Sequence, residues 1–425
     1  MENEDHVAID FEAMLEKAQP LFSTKSCCIY KVPHPIRQSN EDAYTPMVVS
    51  IGPLHHGNPR LLNMERQKQV YCKHFIKRTW ASLSDLMSCV RELEPKIREC
   101  YSEKIDLTED EFMKMILVDC AFVIELFLRY SYNSTTEDDV ILSKSWMWTL
   151  VNDDLKLLEN QVPIFVFEKL YNLAFPSGLS KAGRLCSFMW LAITYFSYYN
   201  KQRVLPPAAS SIAHFTDLLR YFYLPPSHRR PSRNYKPQLA VLGHSASELV
   251  EAGVKFLENK PWHGGIFLLD LEFEHSILKI PHLLVEDNTE LLLRNIVALE
   301  QCHYPEEHYI IDYVRFLAQL INSNKDADVL IKAGIFDSMV SGNETSVAKL
   351  FSDVWKNVIV SGVNVDYLRI CNDLNAYYKH PCNTKMATLR RDYFTTPWKT
   401  AASIAGIVLV VLTVIQTVCS IVQLK

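Results

Sequence analysis

EFMKMILVDCAFVIELFLRY, from Glu111 to Tyr130, reads as one helix. Phe112, Met115, Ile116, Val123, Phe127 and Tyr130 fall on one stripe at helical spacing, and Ala121, Phe122 and Leu128 make the other side apolar too. A helix that is apolar all round belongs at the centre of a domain. Asp119 then falls on a buried face, where an unpaired carboxylate is expensive, so the fold must supply donors. The candidate donors are backbone N–H groups, a histidine such as His55 or His56, or an arginine from another segment; the favoured contact is the turn His55–Gly57, which needs tying to the core. Glu125 and Arg129 are four apart and can pair. Asp119 and Glu125 are six apart and point to different sides, so they do not read as an acid–base pair.

A second apolar run, AASIAGIVLVVLTVIQTVCSIV from Ala401 to Val422, contains no charge at all. As a helix rising about 1.5 Å per residue it is long enough to cross a hydrocarbon core roughly 30 Å thick. Ala401, Ile404, Ile407, Leu409, Leu412, Ile415, Val418 and Val422 are its candidate span residues, with Trp398 and Lys399 as interface anchors. Arg390, Arg391 and Lys399 precede the span and only Lys425 follows it. That bias puts the large N-terminal region in the cytosol, at the plasma membrane or an endomembrane.

The remaining composition is globular: 425 residues, 48% hydrophobic and 22% charged, enough for two or three domains. A net charge of −5 gives no basic field for nucleic acid. The acidic N-terminus, MENEDHVAIDFEAMLEK, lacks the apolar core of a secretory signal. Eleven irregularly spaced cysteines form neither a zinc pattern nor a disulfide framework and fit reduced, mostly buried thiols. In the cytosol the sequons at Asn133 and Asn343 stay unmodified.

Taken in order, residues 1–26 form an acidic leader, 27–223 an N-terminal helical domain and 224–238 a linker. Residues 239–396 form a C-terminal α+β domain and 397–425 the membrane tail. A helix is expected from about Leu61, with Met64, Tyr71 and Phe75 on one face. A second runs from near Asp153 to just before Pro163, and a third starts at that proline. The linker LPPSHRRPSRNYKPQ carries four prolines and four basic side chains, with Arg229-Arg230-Pro231-Ser232 as a candidate phosphorylation or lipid-contact site. Ser245 and Glu248 form a capping box for a helix to about Phe256. Ile266–Phe273 and Ile277–Val285 read as strands, and helices follow over Glu290–Cys302, Tyr309–Leu320, Glu344–Val360 and Val365–Tyr378.

Several motifs together carry a resemblance. Near the N-terminus they are Tyr44-x-Pro46, Val49-Ser50-Ile51-Gly52-Pro53, His55-His56-Gly57, Met64-Glu65 and Lys68. Val118-Asp119, Glu125-Leu126-Phe127 and Leu158-Glu159-Asn160-Gln161-Val162-Pro163 follow. Leu218-Leu219-Arg220, Glu251-Ala252-Gly253-Val254, Leu292–Tyr304 and Thr388–Tyr393 complete the set. The chain after about residue 27 resembles the plant family catalogued as domain of unknown function 247, and Phe175–Pro206 departs from its pattern. The resemblance implies a plant membrane protein with one C-terminal span and no established biochemical activity. Some relatives are linked to pollen–stigma self-recognition in grasses.

Other candidate chemistry has plainer readings. Gly243-His244-Ser245-Ala246-Ser247 is similar to a hydrolase elbow, but Ser247 stands where the second glycine belongs, and helix capping accounts for Ser245. His55-His56 with Glu65 and Cys72 lacks the helical spacing of a metal site, and Cys302-His303 with His308 and His380 with Cys382 lack a second paired ligand set. No Gly-rich phosphate loop is present. The fold expected is mainly α, a helical globular region with a small antiparallel β element plus one C-terminal transmembrane helix. The expected function is non-enzymatic membrane-tethered recognition or signalling, with lipid and an unknown protein as partners, and with no cofactor and no metal. A serine hydrolase using Ser245 and a structural scaffold are the alternatives.

Overall fold

The computed structural model describes residues 11, 14–15, 25–134, 139–176, 179–180, 183–184, 186–204, 211–226, 230, 235–236, 241–260, 267–338, 345–360, 362–393 and 397–423. The chain is mainly α, as its sequence predicts, with a few small strands. After a one-turn helix at His34–Arg37, the helices are α1 (Leu62–Arg78), α2 (Leu83–Arg98), α3 (Glu109–Ser131), α4 (Ser145–Asp154), α5 (Ile164–Ala174), α6 (Phe188–Tyr195), α7 (Phe215–Tyr223) and α8 (Ala246–Ala252). They continue with α9 (Thr289–His303), α10 (Tyr309–Leu320), α11 (Asn324–Lys332), α12 (Thr345–Trp355), α13 (Val365–Lys379), α14 (Pro381–Tyr393) and α15 (Pro397–Gln423). The chain divides into two compact units. One comprises Met1–Pro225, Asn288–Ile310 and Lys356–Ile359, and the other Pro226–Asp287, Ile311–Trp355 and Val360–Lys425.

In the first unit α3 is the centre. It starts at a capping box in which Thr108 N–H donates to Glu111 Oε2 at 3.0 Å and Glu111 N–H donates to Thr108 Oγ1 at 3.4 Å. Helices α1, α2, α5 and α6 pack around it. Phe127 stacks on Tyr195 with ring centroids 4.4 Å apart, and Phe167 stacks on Phe188 at 5.1 Å. Asp119 is buried, as expected, but its partners are not the His55–Gly57 turn. Its Oδ1 lies 2.5 Å from Lys68 Nζ on α1, and its Oδ2 accepts Gly52 N–H at 2.8 Å. Gly52 has φ +77°, and a Cβ there would sit 2.3 Å from Gln161 O, so only glycine lets the chain pass. Glu125 and Arg129 pair at 2.9 Å, and Arg78 and Asp139 extend the network.

The helix expected to run from Asp153 to Pro163 ends instead at Asp154. The residues after it form a buried loop, because their side chains take over backbone bonding that a helix would otherwise supply. Asn160 Oδ1 accepts Ile51 N–H at 2.7 Å, and Asn160 Nδ2 donates to Val49 O and Asp154 O at 3.0 and 2.9 Å. Gln161 Nε2 donates to Leu155 O and Leu157 O at 2.8 and 2.7 Å, while its Oε1 accepts Phe215 N–H at 2.9 Å. Asp154 accepts three consecutive N–H groups, from Met47, Val48 and Val49, at 2.7 to 2.8 Å. Met47, Val48, Val49 and Ile51 therefore bond through their N–H groups to Asp154 and Asn160 and form no strand. The helix expected at Pro163 is α5, with that proline at its N-cap.

The second unit packs mainly through apolar faces and local caps. Helix α8 stops at Ala252 rather than Phe256, because Gly253 adopts φ 106° and closes it. Strand Lys255–Glu258 follows, parallel to Ile277–Ile280. The expected antiparallel element is the hairpin of Glu272–Glu274 with Ile277–Ile280, turned through His275 and Ser276 at φ 49° and 63°. Leu283–Val285 pairs in parallel with Phe336–Ser338. Tyr235–Lys236, inside the expected linker, pairs antiparallel with Val363–Asn364. Ser232, Ile266, Asn343 and Lys425 lie outside the described residues. Helix α12 ends at Trp355, short of Val360. Within α15, Thr400–Val422 is a 23-residue stretch long and apolar enough to cross a membrane, and none of it is buried in the protein.

Candidate functional site

The first unit carries a polar cleft of about 560 Å³, lined by Lys31, Arg37, Pro53, Leu54, His55, His56, residues 103–107 and Glu159. Three segments build it. The segment before α1 supplies Lys31 and, from a one-turn helix at His34–Arg37, Arg37; the Gly52–Gly57 turn supplies the two histidines, and the buried loop after α4 supplies Glu159. Glu159 Oε1 accepts Arg37 Nη1–H at 2.6 Å and Val32 N–H at 2.8 Å. Its Oε2 lies 3.1 Å from His55 Nε2, with His55 nine-tenths and Glu159 almost wholly buried. Arg37 also donates from Nη2 to Thr45 Oγ1 at 2.6 Å. A buried carboxylate thus orients one cation and one imidazole at the cleft wall, while Lys31, His56 and Lys104 stand around the opening. The wall can present hydrogen-bond donors and charges of both signs to a polar ligand.

Buried titratable groups support this wall. Burial holds the His214 imidazole down at about 4, and its neutral Nε2–H donates to Cys28 O at 3.0 Å, next to the segment that carries Lys31. Burial pushes Asp154 up to about 7 against the pull of its three N–H donors. Burial alone would lower the Lys68 ammonium, but Asp119 and Glu65 hold it above its ordinary value.

The other sequence candidates are dispersed. Ser245 is the N-cap of α8: its N–H donates to Glu248 Oε2 at 2.9 Å, and its Oγ lies 3.2 Å from Ser247 Oγ. Ser247 N–H donates to Asp326 Oδ1 at 2.8 Å, and the His244 ring stacks on Tyr378 with centroids 3.5 Å apart. His303 Nδ1 is 3.1 Å from Tyr30 Oη. Among the described residues no group of three or more His, Cys, Asp or Glu side chains is placed to hold a metal. Ala401, Ile404, Ile407, Leu409, Leu412, Ile415, Val418 and Val422 lie on the unburied face or faces of α15. Trp398 is 86% exposed just before them. Sequence reading missed Lys31, Arg37, Lys104 and Glu159 as one constellation. The available signal was the polar Glu159-Asn160-Gln161 run between apolar residues, which a helix reading hides.

Fold and tail define a class: a largely α-helical protein with a polar cleft and one C-terminal helix suited to a bilayer. The chain belongs to the plant family described as "Plant protein of unknown function", domain of unknown function 247, whose signature matches residues 29–412. It is 29% identical to UPF0481 protein At3g47200 of Arabidopsis thaliana over 93% of this chain and 87% of that one. It is 23% identical to the putative UPF0481 protein At3g02645 of the same plant, over 91% and 89% of the two chains. No solved structure matches.

Proposed function

We propose that this is a non-enzymatic, single-pass membrane protein. Its folded region stands on the cytosolic side of the plasma membrane or an endomembrane, recognises a protein partner there and signals its presence. No cofactor and no nucleic acid enter the role. The observation that carries the reading is α15: none of its apolar surface from Thr400 to Val422 is buried in the protein. In water so large an apolar face would drive association, whereas in lipid it is at home. The cytosolic orientation rests on Arg390, Arg391 and Lys399 before the span. The polar cleft around Glu159 is the surface offered to the partner. The test is truncation after Phe394 in plant cells. Release into the soluble fraction supports the tail as the anchor, and carbonate-resistant membrane association of the truncated chain sinks it. A glycosidase-sensitive mobility shift, lost in Asn133→Gln, would reverse the orientation.

A further inference from the structure

Cys28 and Cys100 stand one residue before the parallel bridge that joins Ile29 to Tyr101, one on each side of it. Cys28 N–H and Ile29 N–H both donate to Cys100 O, at 2.9 and 2.8 Å, and Ser102 N–H returns a bond to Ile29 O at 2.9 Å. The two cysteines are therefore register neighbours. Paired strands run about 4.8 Å apart. That spacing lies inside the roughly 4.4–6.8 Å Cα separation that a disulfide requires. Both side chains are buried and free, and the Cys100 thiol donates to Lys96 O at 3.3 Å.

We propose that Cys28 and Cys100 form a reversible oxidation site, closed to a disulfide by a small peroxide and reopened by a dithiol reductant. The Cys100 thiolate attacks one peroxide oxygen, the O–O bond breaks, and the leaving hydroxide takes up the proton that Cys100 lost. Cys100 is then a sulfenic acid and one water has been released. The Cys28 sulfur next attacks the Cys100 sulfur and the S–O bond breaks. The departing hydroxide takes the Cys28 proton as the second water. Two thiols are oxidised and one peroxide is reduced. The order of attack follows from the surroundings. The neighbouring Cys28 thiol and Lys96 hold Cys100 below the usual thiol range, while the closeness of Cys100 and burial push Cys28 up. In a reducing compartment the resting state is the dithiol.

The bond would act on the cleft. Lys31 follows Cys28 by three residues and Glu103 follows Cys100 by three, and both side chains line the cleft. A disulfide would fix those two walls to one another. The inference stands on the first unit alone and does not depend on the membrane reading.

The test treats the full-length protein in detergent with hydrogen peroxide, alkylates free thiols, and maps peptides with and without dithiothreitol. The expected result is a Cys28–Cys100 cross-linked peptide that reductant removes. Oxidation should also raise Tm by roughly 5 °C or more in the wild type, because the loop closed is long, and not in Cys100→Ser or Cys28→Ala. The proposal is overturned if both thiols alkylate fully on unfolding after peroxide treatment, or if Cys100 cross-links to another cysteine. Should either variant fail to fold, the wild-type peptide map decides alone. The exposed Cys186 and Cys382 report that the oxidant was active.

Discussion

Two long apolar helices, α3 and α15, solve opposite problems with similar side chains. Helix α3 is buried along nearly its whole length and yet carries Asp119, Glu125 and Arg129 in its interior face. Helix α15 is unburied, and from Thr400 to Val422 it carries no formal charge. Its polar groups are hydroxyls that bond back to their own helix, as Thr413 does to Leu409 O at 2.7 Å and Thr417 to Thr413 O at 2.7 Å. A protein interior can supply Lys68, Arg78 and Gly52 N–H as fixed partners for charges, and lipid cannot. Charge content, more than apolar content, separates a core helix from a membrane helix.

The contrast is most exposed to failure at Asp119. Asp119→Ala leaves Lys68 buried without its main counter-charge and should cost about 3–5 kcal/mol, as breaking a buried pair does. Thermal unfolding of the full chain measures it, and a loss below about 1 kcal/mol would mean that water already screens the pair. In α15 the same logic is turned round. Leu412→Arg places a charge at mid-span and should disfavour insertion by about 3 kcal/mol, while the Tm of the folded region stays where it was. Carbonate extraction alongside calorimetry reads both, and an unchanged membrane fraction would return α15 to the class of protein-covered helices.

A subtler test uses His214, whose environment only a dry interior can provide. Its folded-state pKa is depressed from the ordinary 6.5 to about 4. The unfolded chain therefore binds a proton that the folded chain refuses. The contribution is fully present above about pH 6.5 and is lost as pH falls to about 4, amounting to up to about 3 kcal/mol. Asp154, raised to about 7 by burial, pulls the other way, since its contribution is lost as pH rises from 3.8 through about 7. The clean measurement is thus a difference. The stability gap between wild type and His214→Gln should shrink steadily from pH 7 to pH 4, and a constant gap would show that His214 titrates as in water. The smallest effect expected is at Ser245. Ser245→Ala removes an N-cap from a helix held by packing elsewhere and should cost about 1 kcal/mol. Labelling of Ser245 by a fluorophosphonate probe would instead mark it as a nucleophile.

Periodicity carried the reading of α3, and an uncharged apolar run long enough to cross a bilayer carried that of α15. Helix starts were legible where a cap announced them, as at Pro163 and Ser245. They were missed where a side chain far along the chain intervened. The Leu155–Pro163 segment has helical composition, and only Ile51, Val49 and Phe215, as partners of Asn160 and Gln161, make a loop of it. The cleft was illegible for the same reason. Lys31, His55, Lys104 and Glu159 share no local period, and Arg37 meets Glu159 across 122 residues. Asp119 lay between these cases: its need for donors was readable from its place on the stripe, but the identity of those donors was not.

The Asn295 side chain gives the first unit a timetable. It accepts Leu158 N–H at a separation of 137 residues and donates to Ala43 O at a separation of 252. During synthesis the segment around Ala43 emerges first and finds its partner only after α9 has left the ribosome. Until then the segment around Ala43 and the loop after α4 lack the amide that ties them together. A nascent chain in that position is a client for chaperones, and slowing translation between codons 160 and 290 should prolong that dependence.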